Sequence, residues 1–280
     1  MQTFKNFNKA IWFSLGWFLV FVILQTVYMV FAVVFKAITD AEYLLTVQQL
    51  FNSASGQGSD ELMNVYMEVI GSVTSYIEIF LTIGMSGLLV IDREIHGNRY
   101  AFNKIKITEI PLFISLGILM NILSTLFISL FSTETLTETG YDTTLLLQGG
   151  FFGVLIGVGI CAPLCEEITF RYFIYHNSNR LNQIFAIIFS AALFGLAHGN
   201  ILQGMYAFTF GLIFVMINNK YNSIWPGTIM HMSVNSLSVF LMLANDSVVQ
   251  IALMIGAFVI SLIPTSAILI SKLVKHEEIF

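Results

Sequence analysis

Eight apolar runs divide this chain, at 10–35, 64–91, 110–132, 150–175, 183–198, 202–218, 225–244 and 249–271. A helix needs about 20 such residues to cross a bilayer, and most of the runs meet or approach that length. Lipid offers no hydrogen bonds, so each run must satisfy its own backbone, as a helix does. The runs are continuous and lack the alternation of a transmembrane β-barrel. The expected class is therefore all-α: a polytopic transmembrane helical bundle of about eight spans. Composition agrees, with 56% hydrophobic and 10% charged residues in a chain of 280. Soluble domains carry roughly a quarter charged residues. No basic cluster suits nucleic acid, so the expected surroundings are the lipid bilayer and no nucleic acid.

The charges that remain set an expected orientation. Lys5, Lys9, Arg93, Arg99, Lys104, Lys106, Arg180, Lys220, Lys272 and Lys275 fall in alternate loops. Asp40, Glu42, Asp60, Glu61, Glu134, Glu138, Asp142 and Asp246 fall in the others, with Lys36 the only base. Basic loops stay cytoplasmic on insertion, so both termini are expected there, in keeping with an even span count. The first run, 10–35, is too long for a signal peptide and lacks a small-residue cleavage site, so it reads as an uncleaved span. The polar stretch from Thr39 to Asp60 reads as a loop with one short helix near Glu42–Phe51. Cys161 and Cys165, four residues apart, are too few for a disulfide framework and read as packing residues.

Ionisable groups inside apolar runs are costly in lipid and mark a site by default. The run from Phe151 to Tyr175 contains Glu166-Glu167-x-x-x-Arg171. Glu167 and Arg171 are i, i+4 in the favourable acid-first order and can pair. Glu166 then lies about 100° around the helix, free to face a cavity. A carboxylate there suits a general base that takes a proton from water. Two further patterns follow on separate runs, Phe194-x-x-x-His198 and His231-x-x-x-Asn235. Asn235 would donate to a developing oxyanion in a dry site, and the histidines would position water or bind the carbonyl oxygen. Each piece has a plainer reading: a structural histidine, a self-neutralising ion pair, an interhelical amide. Their joint occurrence favours the catalytic reading. Glu78 lies within the second run and is read as a protonated or paired carboxyl that could line the cavity; Asn121, Gln148 and the glycines near Gly149 are read as packing or interface features.

Glu-Glu-x-x-x-Arg, Phe-x-x-x-His and His-x-x-x-Asn, in this order on separate spans, resemble the CPBP (CAAX protease and bacteriocin-processing, or Abi) intramembrane endopeptidases. The resemblance covers roughly residues 150–243. It implies an eight-helix membrane protease related to enzymes that remove the last three residues of prenylated CAAX proteins. It implies catalytic roles for Glu166, His198, His231 and Asn235, with Glu167 and Arg171 supporting. On this reading residues 1–140 hold N-terminal spans and an extracytoplasmic loop. Residues 141–280 hold the CPBP/Abi-like catalytic core, with four core helices and a final span. The substrate would be a peptide or membrane-protein tail in a bacterial cell membrane, and bacterial relatives serve bacteriocin immunity, peptide maturation or surface-protein processing. The resemblance also raises a metal. Glu166, His198 and His231 would be the ligands of a catalytic zinc with one open position. The chain lacks His-Glu-x-x-His, and the reading taken is one with no obligatory metal. Two rival functions stay open: a non-catalytic immunity or scaffold protein, and a proton-coupled transporter, for which internal repeats would be expected.

One difficulty is geometric. Counting along straight spans puts His198 on the order of 15 Å from the depth of Glu166 and His231. The expected resolution is a fourth span that continues past Tyr175 into the cytoplasm, with the His198-Gly199-Asn200 turn inside the membrane and a cavity open to the cytoplasm.

Overall fold

The structure, a computed structural model, describes residues 2–53, 59–97, 102–131, 147, 149–244 and 246–274. Arg99, Lys275, Glu134, Glu138, Asp142 and Gln148, used above, lie outside the described residues. The described elements are helical, as lipid requires of a chain this apolar. They are α1 (Gln2–Thr39), α2 (Ala41–Ser53), α3 (Ser59–His96), a 3-10 turn (Ile107–Glu109) and α4 (Ile110–Phe131). Next comes one continuous helix, α5 (Phe151–Asn179). Then follow α6 (Gln183–Leu196), α7 (Ile201–Tyr221), α8 (Trp225–Leu241) and α9 (Ser247–Val274). Every one of the eight apolar runs has its helix. Six are long and apolar enough to cross a membrane, and the chain is an integral membrane protein. The other two, α6 and α8, have 14 and 17 residues. The short helix expected near Glu42 is α2.

α5 is the axis of the bundle, packed against α1, α3, α6 and α8, while α4 packs on α8 and α9 and α7 on α6. Its aromatic half forms the main core, where Phe170, Tyr172, Phe173 and Tyr175 are at most 2% exposed. Trp17 of α1 stacks on Phe173 at 3.7 Å. Ser14 bridges to the Ile174 carbonyl and to Ser178. α3 meets α5 through small residues: a Cβ on Gly157 would lie 2.7 Å from the Ser75 Cα. A small residue there lets two backbones touch, the usual route to tight helix contact in lipid.

α5 is not a uniform α-helix. It widens into π turns at Leu155–Cys161 and Ile168–Tyr175, on either side of the regular segment Ala162–Glu167. Pro163 gives the first a physical cause. It has no N–H, so the Gly159 carbonyl loses its partner four residues on. The Ala162 N–H bonds back to Gly157, which frees Val158 as well. Side chains of α8 take up these carbonyls, Asn235 donating to Val158 at 3.1 Å and Ser236 to Gly159 at 3.3 Å, and Thr82 of α3 donates to the Cys161 carbonyl at 2.8 Å. In the second π turn, Phe170 accepts from Ser190 Oγ at 2.7 Å. Cys161 and Cys165 are free thiols, and Cys165 is fully buried.

α6 starts at the Asn182 cap, whose Oδ1 accepts from the Phe185 N–H, and it stops at Leu196. Fourteen residues rise only about 21 Å, short of the roughly 30 Å of a hydrocarbon core. Gly199 at φ +66° turns the chain, and Asn200 caps α7 by accepting from Gln203 N. At α8, Trp225-Pro226 opens the helix as its sequence implies, with proline in the first turn. Asn121 ties α4 to α8 through the Val234 carbonyl and Ser238 Oγ, an interhelical use of a buried amide.

Candidate active site

Glu166 and Glu167 are neighbours in sequence with opposite surroundings. Glu167 has no exposed surface. Arg171 Nε donates to its Oε2 at 3.1 Å, and the Arg171 Nη2 lies 3.1 Å from its Oε1. Asn218 of α7 donates to Oε2 at 3.1 Å. The same Asn218 accepts from the Gly227 N–H at 2.7 Å, and a Cβ on Gly227 would sit 2.7 Å from its amide nitrogen. Arg171, also without exposed surface, donates to Ser190 Oγ at 3.2 Å and lies over the Phe194 ring at 4.9 Å. A buried ion pair is tolerable only when its spare donors and lone pairs are met; Ser190 of α6 and Asn218 of α7 meet part of that need, while Arg171 Nη2 and Glu167 Oε1 face each other at 3.1 Å without a hydrogen bond.

Glu166 points the other way, as one residue of helix rotation dictates. Its side chain is 21% exposed, and its Oε2 lies 3.6 Å from His231 Nε2 with no hydrogen bond of its own. His231 is 5% exposed. Its Nδ1 lies 3.8 Å from Glu167 Oε1, so the ring stands between the two carboxylates. Phe214 stacks on it at 5.2 Å and Phe194 meets it edge-on at 5.5 Å. Those contacts hold the imidazole in one orientation.

His198 is positioned by its own helix end. Its Nδ1 contacts the Phe194 carbonyl at 2.8 Å. A carbonyl only accepts, so Nδ1 carries the proton, and in the neutral ring Nε2 is an acceptor. Asn235 uses one amide hydrogen on the Val158 carbonyl freed by the π turn, which leaves its second amide hydrogen.

Glu166, His198, His231 and Asn235 line one cavity of about 720 Å³. Helices α5, α6, α7 and α8 supply most of the polar wall, and α1, α3, α4 and α9 complete it with Gln25, Glu78, Ser124 and Gln250. The four residues singled out from sequence are therefore brought together, and Glu167 and Arg171 stand behind them. His198 lines this cavity, just past the end of α6 at Leu196, while α5 runs on to Asn179. Glu78, read as a cavity-lining carboxyl, does line it. The sequence reading missed Asn218 and Ser190. Each is a polar residue inside an apolar run, and that was the available signal.

The ring nitrogens and carboxylates do not converge as metal ligands do. Among the described residues no three of His, Cys, Asp or Glu come together closely enough to hold an ion. Glu166, His198 and His231 do not fit a zinc site in this arrangement, and no step below runs through a metal.

Residues 148–237 match the family model described as Type II CAAX prenyl endopeptidase Rce1-like. The match spans Glu166, Glu167, Arg171, His198, His231 and Asn235, and it is the family anticipated from the three motifs. No curated protein and no solved structure gives a significant match.

Proposed function

We propose, taking residues 148–237 as a core of the type II CAAX prenyl endopeptidase kind, that the chain is an intramembrane endopeptidase with Glu166 as general base. The observation that carries this reading is the divided fate of the two glutamates. Glu167, without exposed surface, is held by Arg171 and Asn218, whereas Glu166 is 21% exposed and lines the cavity beside an imidazole, its Oε2 without a hydrogen bond.

In the proposed reaction Glu166 takes a proton from a water as its oxygen attacks the carbonyl carbon of a peptide bond. His198 Nε2 accepts the water's other hydrogen and aims the oxygen. The free amide hydrogen of Asn235 donates to the oxyanion that forms. His231 holds Glu166 in place. Protonated Glu166 then gives its proton to the departing amine nitrogen as the C–N bond breaks. The charge that develops meets donors fixed in a largely apolar setting, which is where such donors act most strongly.

The substrate on this reading is a membrane peptide or membrane-protein tail. The setting is a bacterial cell membrane, with both termini and the cavity mouth on the cytoplasmic side, as the loop charges imply. Maturation of a peptide, surface-protein processing and bacteriocin immunity are the roles that fit such a peptidase.

The test is Glu166→Gln. Cleavage should fall by about 10²- to 10⁴-fold, the usual contribution of a general base. Membrane peptides from cells carrying the wild type and this variant should differ in the products released. Equal product profiles would remove the peptidase reading and leave a binding protein.

A further inference from the structure

Most neutral polar side chains on the cavity wall already have partners. Thr74, Ser124, Thr125 and Ser238 each donate to a carbonyl of their own helix at 2.8–3.1 Å. Asn235 donates to the Val158 carbonyl at 3.1 Å and Gln250 to the Ala244 carbonyl at 2.7 Å. Gln25, Gln203 and Tyr206 line the same cavity, and among the described residues their side chains make no hydrogen bond. The Tyr206 ring packs against two core clusters, which accounts for its place. The glutamines bring no ring. Each is half-buried within an apolar run, Gln25 on α1 and Gln203 on α7. A carboxamide kept from water without a partner is costly.

Both stand beside the segment that carries His198. Phe21, one turn before Gln25, also lines the cavity, and its ring meets Phe170 at 5.7 Å. Phe170 meets Phe194 at 5.2 Å, and Phe194 meets His198 at 5.0 Å. From the other side Asn200, two residues past His198, caps α7 by accepting from the Gln203 N–H at 3.1 Å. Phe21, Phe194 and Ala207 belong to one buried cluster.

A carboxamide offers an acceptor oxygen and two donor hydrogens. A residue of an extended chain points its N–H and its C=O to the same side, as the paired residues of a β-ladder do. One carboxamide can meet both. A peptide that unwinds in this cavity must find partners for the backbone groups it frees. A helical segment has no such need, because its backbone groups bond internally.

We propose that Gln25 and Gln203 are substrate-binding residues whose carboxamides grip the backbone of an extended peptide segment beside His198, each holding one residue. The proposal rests on the peptidase reading only for the ligand being a peptide.

The experiment uses the full chain with Glu166→Gln in lipid nanodiscs, so that bound peptide stays whole. It is titrated with a short fluorescent apolar peptide and with copies in which one amide at a time is replaced by an ester, which deletes a single N–H. Two positions should each cost about three- to tenfold in affinity, the range of one hydrogen bond, and the others little. Gln25→Met and Gln203→Met, close in shape but without the amide, are then added singly. Each should weaken the parent peptide by a similar factor and abolish the ester effect at one of the two positions, leaving the other intact. A copy stapled as a helix should bind about tenfold or more weakly than the parent, having lost both contacts. The proposal is overturned if no peptide binds, if no ester position matters, or if the stapled helix binds as well as the parent. It is equally overturned if either substitution leaves the ester pattern whole, including the case in which it weakens every peptide alike. Cleavage with Glu166 in place is read separately. Glutamine-dependent, ester-sensitive binding without cleavage keeps this proposal and removes the peptidase one. Cleavage that neither glutamine substitution slows does the reverse.

Discussion

Without the Arg171 guanidinium, Glu167 would be a carboxylate with no exposed surface and no countercharge. Breaking a buried pair from one side costs about 3–5 kcal/mol, while replacing both partners by apolar residues of similar volume is near neutral. Arg171→Met alone should therefore lower thermal stability in detergent sharply, and Arg171→Met with Glu167→Met should restore most of it. A scan of the two purified variants beside the wild type checks this. Asn218→Ala strands the Gly227 N–H and removes one of the two donors to Glu167 Oε2. Its expected cost is about 1–3 kcal/mol, read by the same scan. Glu166→Gln should leave the melting temperature nearly unchanged, because Glu166 is not part of that network. The Glu167–Arg171 pair was legible in the sequence, since Arg171 lies one turn after Glu167. Asn218 and Ser190 were not, because they reach the ion pair across 51 and 19 residues of chain. Spacing rules do not extend across helices.

The element on which the site depends is α5, and its two π turns are the feature that composition conceals. Leu, Ile, Val and Gly fill α and π turns alike, so the apolar run at 150–175 announced a helix and nothing finer. Pro163 was the one available mark, as a residue that cannot supply the N–H its helix needs. Restoring that N–H with Pro163→Ala offers the Gly159 carbonyl a backbone partner in place of Ser236. The turn should tighten, and Asn235 should lose the acceptor that orients it. Cleavage should fall by up to about 10²-fold, as for catalytic groups displaced by an ångström, with stability held or raised. Kinetics and a melting curve on the one variant separate these effects. Gly157→Val attacks the element differently. Its side chain would enter the Ser75 backbone, and overpacking of this kind costs about 1–3 kcal/mol. The expected sign is lost stability together with lost activity.

At the scale of the whole molecule, the first half of the chain carried no motif, yet it walls the cavity. Gln25, Thr74, Glu78 and Ser124 come from α1, α3 and α4. Helix positions could be read because lipid leaves few alternatives, whereas the order in which helices surround α5 depends on shape and could not. Single cysteines at Asn200 and at the exposed Asn179 test the arrangement against sided thiol reagents. Asn179→Cys should react from the cytoplasmic side only, and Asn200→Cys should resist reagent from outside. The truncated α6 has one more consequence. Ile184, Ile188, Leu196 and Ile201 leave 50–73% of their surface uncovered by protein, so in a bilayer acyl chains would cover them. Hydrocarbon meeting a stretch of about 21 Å would then be drawn thin along this flank. The protein would then carry its own dimple in the membrane, bringing headgroups and water toward His198, and long-chain phospholipids would flatten it at the expense of turnover.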